Sequence, residues 1–172
     1  MKNILLLTLI VFLTFSCKSD KKEFVPNTTE TTVYYLIRHA EKDRSVEGDD
    51  PGLKEEGIKR ANNWATHFKS IELDYIYSTE YKRTQQTALP TAKEKKLVIQ
   101  SYDPKNLYDQ IFKGKTKGKK VLIVGHSNTT PAFVNTILGK QEHQQIDDKD
   151  NGKLFIVTIE NDEISVEIEN YN

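Results

Sequence analysis

Two histidines and two arginines in this sequence stand directly behind apolar runs. Arg38 and His39 follow the run 33–37 (Val-Tyr-Tyr-Leu-Ile). Arg83 sits in the polar stretch 78–84 behind 74–77, and His126 follows 121–124 (Val-Leu-Ile-Val) after one glycine, Gly125. Such a set suits the chemistry of a phosphoryl group, which carries about −1.5 to −2 charge near neutral pH and offers three oxygens. A guanidinium meets those oxygens in pairs and keeps its charge. A neutral imidazole is also a nucleophile, so one histidine can take the phosphoryl group covalently while the other, protonated, donates to the equatorial oxygens as charge spreads. The scheme requires no metal and no other cofactor.

These four side chains work together only if the backbone delivers them to one place. The runs 33–37 and 121–124 lack polar alternation and are too short for helices, as expected of strands buried on both faces; 74–77 and 97–99 are weaker strand candidates. Between the first two strand candidates, Ile58, Ala61, Ala65 and Phe68 recur at spacings of three and four, which predicts an amphipathic helix over 54–69. Residues 82–96 suit a second helix that Pro90 is expected to kink or divide. Residues 130–138 suit a third, with Pro131 in its first turn and Gly139 ending it. The basic stretch 113–120 reads as a flexible loop. Residues 153–159, the turn pair Asn161-Asp162 and residues 163–168 read as a closing hairpin with one wet face. The expected fold is α/β: three layers, a mostly parallel central sheet with helices on both faces, and a C-terminal hairpin. In such a sheet the ligand crevice lies beyond the carboxyl ends of the strands, where the histidines and arginines fall.

Four segments carry a family resemblance. Arg38-His39-Ala40 resembles an Arg-His-Gly signature, residues 50–57 (Asp-Pro-Gly-Leu-Lys-Glu-Glu-Gly) a Leu-Thr-x-x-Gly helix opening, residues 78–88 a Ser-x-x-x-x-Arg-x-x-x-Thr-Ala pattern, and Gly125-His126-Ser127 a second-histidine motif. Their order is that of the histidine phosphatase superfamily, the phosphoglycerate mutase-like two-histidine phosphatases, which the chain resembles from about residue 33 to 159. The resemblance implies that His39 is the nucleophile that becomes phosphohistidine, and that Arg38, Arg83 and His126 complete the phosphate pocket. Ser127 or Asn128 adds a donor at its wall. Two departures stand out: Ala40 replaces the usual glycine, so no positive φ is expected there, and Lys42, Asp43, Arg44 and Ser45 fill the stretch where many mutase-like members carry an asparagine. Asp103 falls where many members carry the carboxylate that protonates the leaving oxygen; Asp109 and Glu41 are the other candidates. The implied activity is a histidine acid phosphatase-type hydrolysis of a phosphomonoester. A phosphohistidine protein phosphatase and a non-catalytic phosphate-binding module are the alternatives, so the partner is a small phosphorylated substrate or a phosphoprotein.

Composition narrows the rest. Of 172 residues, 37% are hydrophobic and 29% charged, and 25 basic side chains match 25 acidic ones. That profile excludes a collagen-like or disulfide-scaffold chain, and its zero net charge gives no field for nucleic acid. The apolar run 4–16 behind Lys2 is short of the ~20 residues that span a bilayer and reads as a signal peptide over residues 1–16. Ser16 before the single cysteine resembles a bacterial lipobox, which makes Cys17 the lipid-bearing terminus, residues 17–32 a flexible tether, and 33–172 the domain. The expected location is therefore the bacterial envelope, on the periplasmic or outer surface, with membrane contact through the N-terminal lipid. His67 and His143 are expected to be structural or solvated, and the histidine spacing offers no zinc site.

Overall fold

The computed structural model describes residues 30–172. The expected signal peptide, Cys17 and most of the expected tether lie outside the described residues. Among the described residues no helix is long and apolar enough to cross a membrane.

The strands are β1 (Thr32–Arg38), β2 (Tyr75–Ser78), β3 (Ile99–Ser101), β4 (Lys120–Gly125), β5 (Lys153–Glu160) and β6 (Glu163–Asn170). They form one sheet in the order β3-β2-β4-β1-β5-β6. β1, β2, β3 and β4 pair in parallel, whereas β5 runs antiparallel to β1, and β6 to β5. The two most apolar runs, β1 and β4, are neighbours at the centre, where both faces are covered. β6 is an edge strand, and its alternating side chains are mostly exposed. Asn161 and Asp162 both take positive φ (51° and 63°), which the two-residue hairpin between β5 and β6 requires.

Helices α1 (Glu55–His67) and α2 (Lys82–Lys95) cover one face of the sheet, where Trp64, Phe68, Ala88 and Ala92 pack against Ile37, Ile76, Leu122 and Leu154. Helices α3 (Gln110–Thr116) and α4 (Thr129–Leu138) cover the other, where Phe112, Phe133, Val134 and Ile137 meet Tyr34, Leu36, Ile123 and Phe155. The three layers are thus as expected, with four corrections in detail. The buried stripe of α1 is Gly57, Ala61 and Trp64, continued by Phe68 just beyond the helix; Ala61 and Phe68 are buried as predicted, but Gly57 and Trp64 take the inner places expected of Ile58 and Ala65, and Ile58 is 54% exposed because Gly57 must face inward. α2 runs through Pro90 undivided. The third strand is only Ile99–Ser101, and Val98 is 80% exposed. Finally, half of the predicted basic loop is α3, whose side-chain cap is Asp109, accepting from the Phe112 amide at 2.7 Å. Its buried Thr116 hydroxyl meets the Tyr34 phenol at 2.6 Å. Lysines on the helix's wet face hid this amphipathic turn from a reading of charge alone.

Gly57 is placed by a close approach. A Cβ there would run into the Glu41 carbonyl oxygen, which itself accepts the Lys54 amide at 3.0 Å. The obstacle is backbone, so it cannot swing aside. Gly57→Ala gains up to about 1 kcal/mol of helix propensity, but overpacking of this kind costs about 1–3 kcal/mol. The expected result is a net loss of about 1–2 kcal/mol, read as a lower urea midpoint at unchanged m-value.

Candidate active site

Parallel register brings the predicted residues together. Arg38 is opposite Gly125, and Ser78 is opposite Val124, so the chain leaves β1, β2 and β4 at one level. The His39 amide then donates to the Gly125 carbonyl at 2.9 Å, locking the first histidine loop to the second. The two imidazoles lie 5.5 Å apart between centroids. Arg83, in the first turn of α2, stacks its guanidinium 4.4 Å from the Tyr81 ring, whose edge contact with His126 is 5.0 Å between centroids. Arg38, His39, Arg83 and His126 all line one cleft of about 370 Å³, with Ser127 and Asn128 on its wall.

Each of the four is held from behind. His39 Nδ1 faces the Ala40 carbonyl at 2.7 Å. A carbonyl only accepts, so Nδ1 carries the proton and Nε2 keeps its lone pair. The Ala40 amide donates to Thr87 Oγ1 at 2.9 Å, and Asn151 Nδ2 donates to the His39 carbonyl at 2.8 Å. Ala40 is fully buried with no positive φ, as its replacement of glycine predicted. The Arg38 guanidinium is anchored by the 147–150 turn: it donates to the carbonyls of Asp147 (2.8 Å) and Asp150 (3.2 Å) and to Asp148 Oδ1 (2.6 Å). Arg83 Nη1 lies 3.6 Å from Asp50 Oδ1, which also accepts the Lys82 amide at 2.8 Å and so fixes the start of α2. The His126 amide donates to Thr129 Oγ1 at 2.9 Å. Asn128 stands at the N-cap of α4, but its side chain makes no capping bond.

Several polar atoms in this wall are buried without a hydrogen-bonding partner in the protein: Arg38 Nε, Arg83 Nε and Nη1, and His126 Nε2. Leaving one such group unpaired costs about 1–3 kcal/mol, and several rarely share one cleft unless a ligand satisfies them. Guanidinium donors beside an imidazole nitrogen match a tetrahedral oxyanion. Burial, ahead of the neighbouring arginines, lowers His39 to about 3 and His126 to about 4, with Arg83 the largest charge acting on His126. Both rings are therefore neutral near pH 7 before an anion enters.

The three candidate carboxylates are placed less centrally. Asp103 is exposed and accepts the Lys105 amide at 2.9 Å; its neighbour Pro104 lines the cleft, but Asp103 itself does not. Asp109 caps α3. Glu41 is held by Arg60 at 2.8 Å. His67 packs among Trp64, Phe68 and Tyr171, and His143 against Phe155, so both stand apart from the cleft. Sequence reasoning did not find Asp148 or Asn151, and it read Thr87 and Asp50 only as parts of motif segments, without their anchoring roles.

Fold and cleft together define a three-layer α/β protein with two histidines and two arginines in one cleft at the carboxyl edge of its parallel strands. Residues 34–104 match the model of the histidine phosphatase superfamily (branch 1). The chain is 41% identical over 69 residues to phosphoserine phosphatase 1 of Hydrogenobacter thermophilus, covering 37% of this chain and 33% of that protein. It is 32% identical over 95 residues to the 2,3-bisphosphoglycerate-dependent phosphoglycerate mutase of Thermoplasma acidophilum, covering 49% of this chain and 44% of that one. The matches thus span less than half the length of these curated relatives. The fold superposes on the α-ribazole phosphatase of Shigella flexneri with a TM-score of 0.65 at 15% identity, covering 81% of this chain and 96% of that one. The chain is thus similar to the histidine phosphatase superfamily over residues 34–104 and shares the fold of that solved phosphatase.

Proposed function

We propose that this protein is a metal-independent phosphomonoesterase that works through a phosphohistidine on His39. The observation that carries the reading is the set of unpartnered Arg38, Arg83 and His126 nitrogens around the cleft that His39 lines. His39 Nε2 attacks phosphorus, a P–N bond forms, and the ester P–O bond breaks. The leaving oxygen takes its proton from a general acid, and water then opens the P–N bond to give inorganic phosphate and free His39. Arg83 and Arg38 pair with the equatorial oxygens, and His126, which takes up a proton from solvent once the anion offsets the arginine charges, donates to the same charge.

Asp103 is the proposed acid. Its carboxylate is tied only to a backbone amide, whereas Asp109 and Glu41 are committed to a helix cap and to Arg60. The same reading keeps the domain at the bacterial envelope through a lipid on Cys17.

The test is phosphate release from 4-nitrophenyl phosphate and from phenyl phosphate in excess EDTA. Turnover is expected to survive the chelator. Asp103→Asn is expected to slow phenyl phosphate by about 10²-fold or more, the usual worth of a general acid. It should leave the nitrophenyl ester, whose leaving group needs no proton, within a few fold. Binding of orthophosphate without release of phosphate would make the domain a non-catalytic anion module and refute the enzyme.

A further inference from the structure

The sheet has two edges across its strands, and the basic stretch 113–120 lies at the one away from the cleft. β1, β2, β3 and β4 run parallel, and each helix that follows one of the first three carries the chain back, so α1, α2 and α3 end where the strands begin. Contacts tie these ends together. Lys95, in the last turn of α2, donates to the Lys69 carbonyl just after α1 at 2.7 Å, and the Asp74 amide, just before β2, donates to the Lys120 carbonyl at the start of β4 at 2.8 Å. The carboxyl end of a helix favours cations, and lysines collect here. Lys93, Lys95 and Lys96 close α2, and Lys115 and Lys117 close α3 beside Lys120.

Most of this charge is uncompensated. Lys117 pairs with Glu30 at 3.4 Å and Lys119 with Asp74 at 3.3 Å, whereas among the described residues Lys93, Lys96, Lys115 and Lys120 make no ion pair. Glu72 and Glu94 are the other acidic side chains at this end of β2, β3 and α2. The acidic tip of the closing hairpin, with Glu160, Asp162 and Glu163, lies beyond β1 and so bounds the basic surface on one side. Val98 stands before β3 among these lysines and is 80% exposed, an apolar side chain that the fold leaves unburied. The chain as a whole is neutral, yet its charge is unevenly placed.

The same edge receives the N-terminal part of the chain. β1 begins at Thr32, whose hydroxyl accepts the Gly118 amide at 2.8 Å, and Glu30 reaches Lys117, so the chain enters the fold against the end of α3. From Cys17 to Glu30 it can span at most about 45 Å. We infer that this basic edge is a membrane-docking surface for anionic lipid headgroups, and that docking turns the phosphate cleft at the opposite edge away from the bilayer. The inference rests on the proposed lipid at Cys17, which holds the surface near the membrane. Lipid and lysines are then two attachments that act together. The second fixes orientation, because ammonium groups feel a charged surface only within about 10 Å at ordinary salt. Val98 is placed to enter the headgroup layer beside them.

The test reconstitutes the full lipidated protein into vesicles of phosphatidylcholine alone, or of equal parts phosphatidylcholine and phosphatidylglycerol, and follows acetylation of each lysine by a water-soluble amine reagent. Lys93, Lys96, Lys115 and Lys120 should react at least about threefold more slowly on the anionic vesicles, and high salt should abolish the difference. Lys105, next to the cleft residue Pro104, and Lys149 should react equally on both. Lys115→Gln/Lys117→Gln/Lys120→Gln, all exposed, should reduce the difference at Lys93 and Lys96 to about 1.5-fold or less, with the urea midpoint unchanged. Equal labelling on the two vesicle types, slowing confined to Lys105 and Lys149, or a difference that survives high salt overturns the docking surface. Intact mass reports the lipid. If Cys17 carries none, the anchoring reading has failed, and the same labelling with either vesicle in excess judges the surface alone. Equal rates then refute it, and slowing by the anionic vesicles that the triple substitution removes upholds it.

Discussion

His39→Ala is expected to lower kcat by about 10⁴-fold or more, as loss of a covalent nucleophile does when its partners remain. His39 is 4% exposed, and its ring nitrogen Nδ1 is tied to the backbone, so no neighbouring side chain can take over the attack from the same position. The fold should survive. Loop 39–41 is held chiefly through main-chain atoms, His39 N to Gly125 O, His39 O to Asn151 and Ala40 N to Thr87, none of which needs the imidazole. The variant should therefore still bind orthophosphate through Arg38, Arg83 and His126. Rapid acid-free quenching of the native protein with a ³²P-labelled ester should trap label that is stable to base and labile to acid, as a P–N bond is, and His39→Ala should trap none. Undiminished turnover in the variant, or label stable to acid, would remove His39 from the chemistry.

The arrangement that makes this prediction possible was partly legible before any coordinates. A parallel sheet puts the carboxyl ends of its strands at one edge, so a residue one or two positions beyond an apolar run has its location fixed by chain locality. Arg38, His39 and His126 are of that kind. Arg83 lies a little further on, in the first turn of α2, and the same logic held because β2 leads into that helix through only three residues. The central strands were legible because burial on both faces leaves no polar alternation, and the hairpin because two adjacent residues that tolerate positive φ mark its turn.

What was not legible is what arrives from far away. Asp148, the carbonyls of Asp147 and Asp150, and Asn151 reach Arg38 and His39 across more than 100 residues. They lie in a polar segment with no period, where residue type alone does not separate a solvated turn from a clamp. Asp50 appeared within a recognisable segment as part of a helix opening, yet its carboxylate serves the start of α2 instead. The inner face of α1 was misjudged for a local reason. Hydrophobicity favoured Ile58, but the helix approaches the Glu41 carbonyl so closely that only the side chain of glycine fits at 57, and this rotates Trp64 into the core. Steric fit at one backbone contact outweighed the ~2 kcal/mol that burying an isoleucine would contribute.

Acid should weaken the folded protein well before its carboxylates titrate. In the unfolded chain His39 and His126 take protons near pH ~6.5. In the folded chain burial and the facing arginines lower them to about 3 and about 4. Between pH 6.5 and about 4 the unfolded state therefore binds more protons than the native one, so stability is full above pH 6.5 and falls as the pH drops. Each group that stays wholly neutral contributes a slope of at most about 1.4 kcal/mol per pH unit, with the half-buried His126 contributing less. His67, lowered chiefly by burial, acts in the same direction. Urea midpoints between pH 7 and 4.5 should show this decline, and His39→Gln, which cannot titrate, should flatten it. A bound oxyanion reverses the electrostatics at His126: the negative charge it brings offsets Arg83 and Arg38, so the imidazole takes up a proton on binding. Calorimetry of orthovanadate or phosphate at pH 6, in buffers of different ionisation enthalpy, should then report uptake of up to about one proton by the complex. The proton count should fall towards that of the free anion's own ionisation in His126→Gln; an unchanged count would mean that His126 stays neutral beside the anion and donates its hydrogen bond as an imidazole.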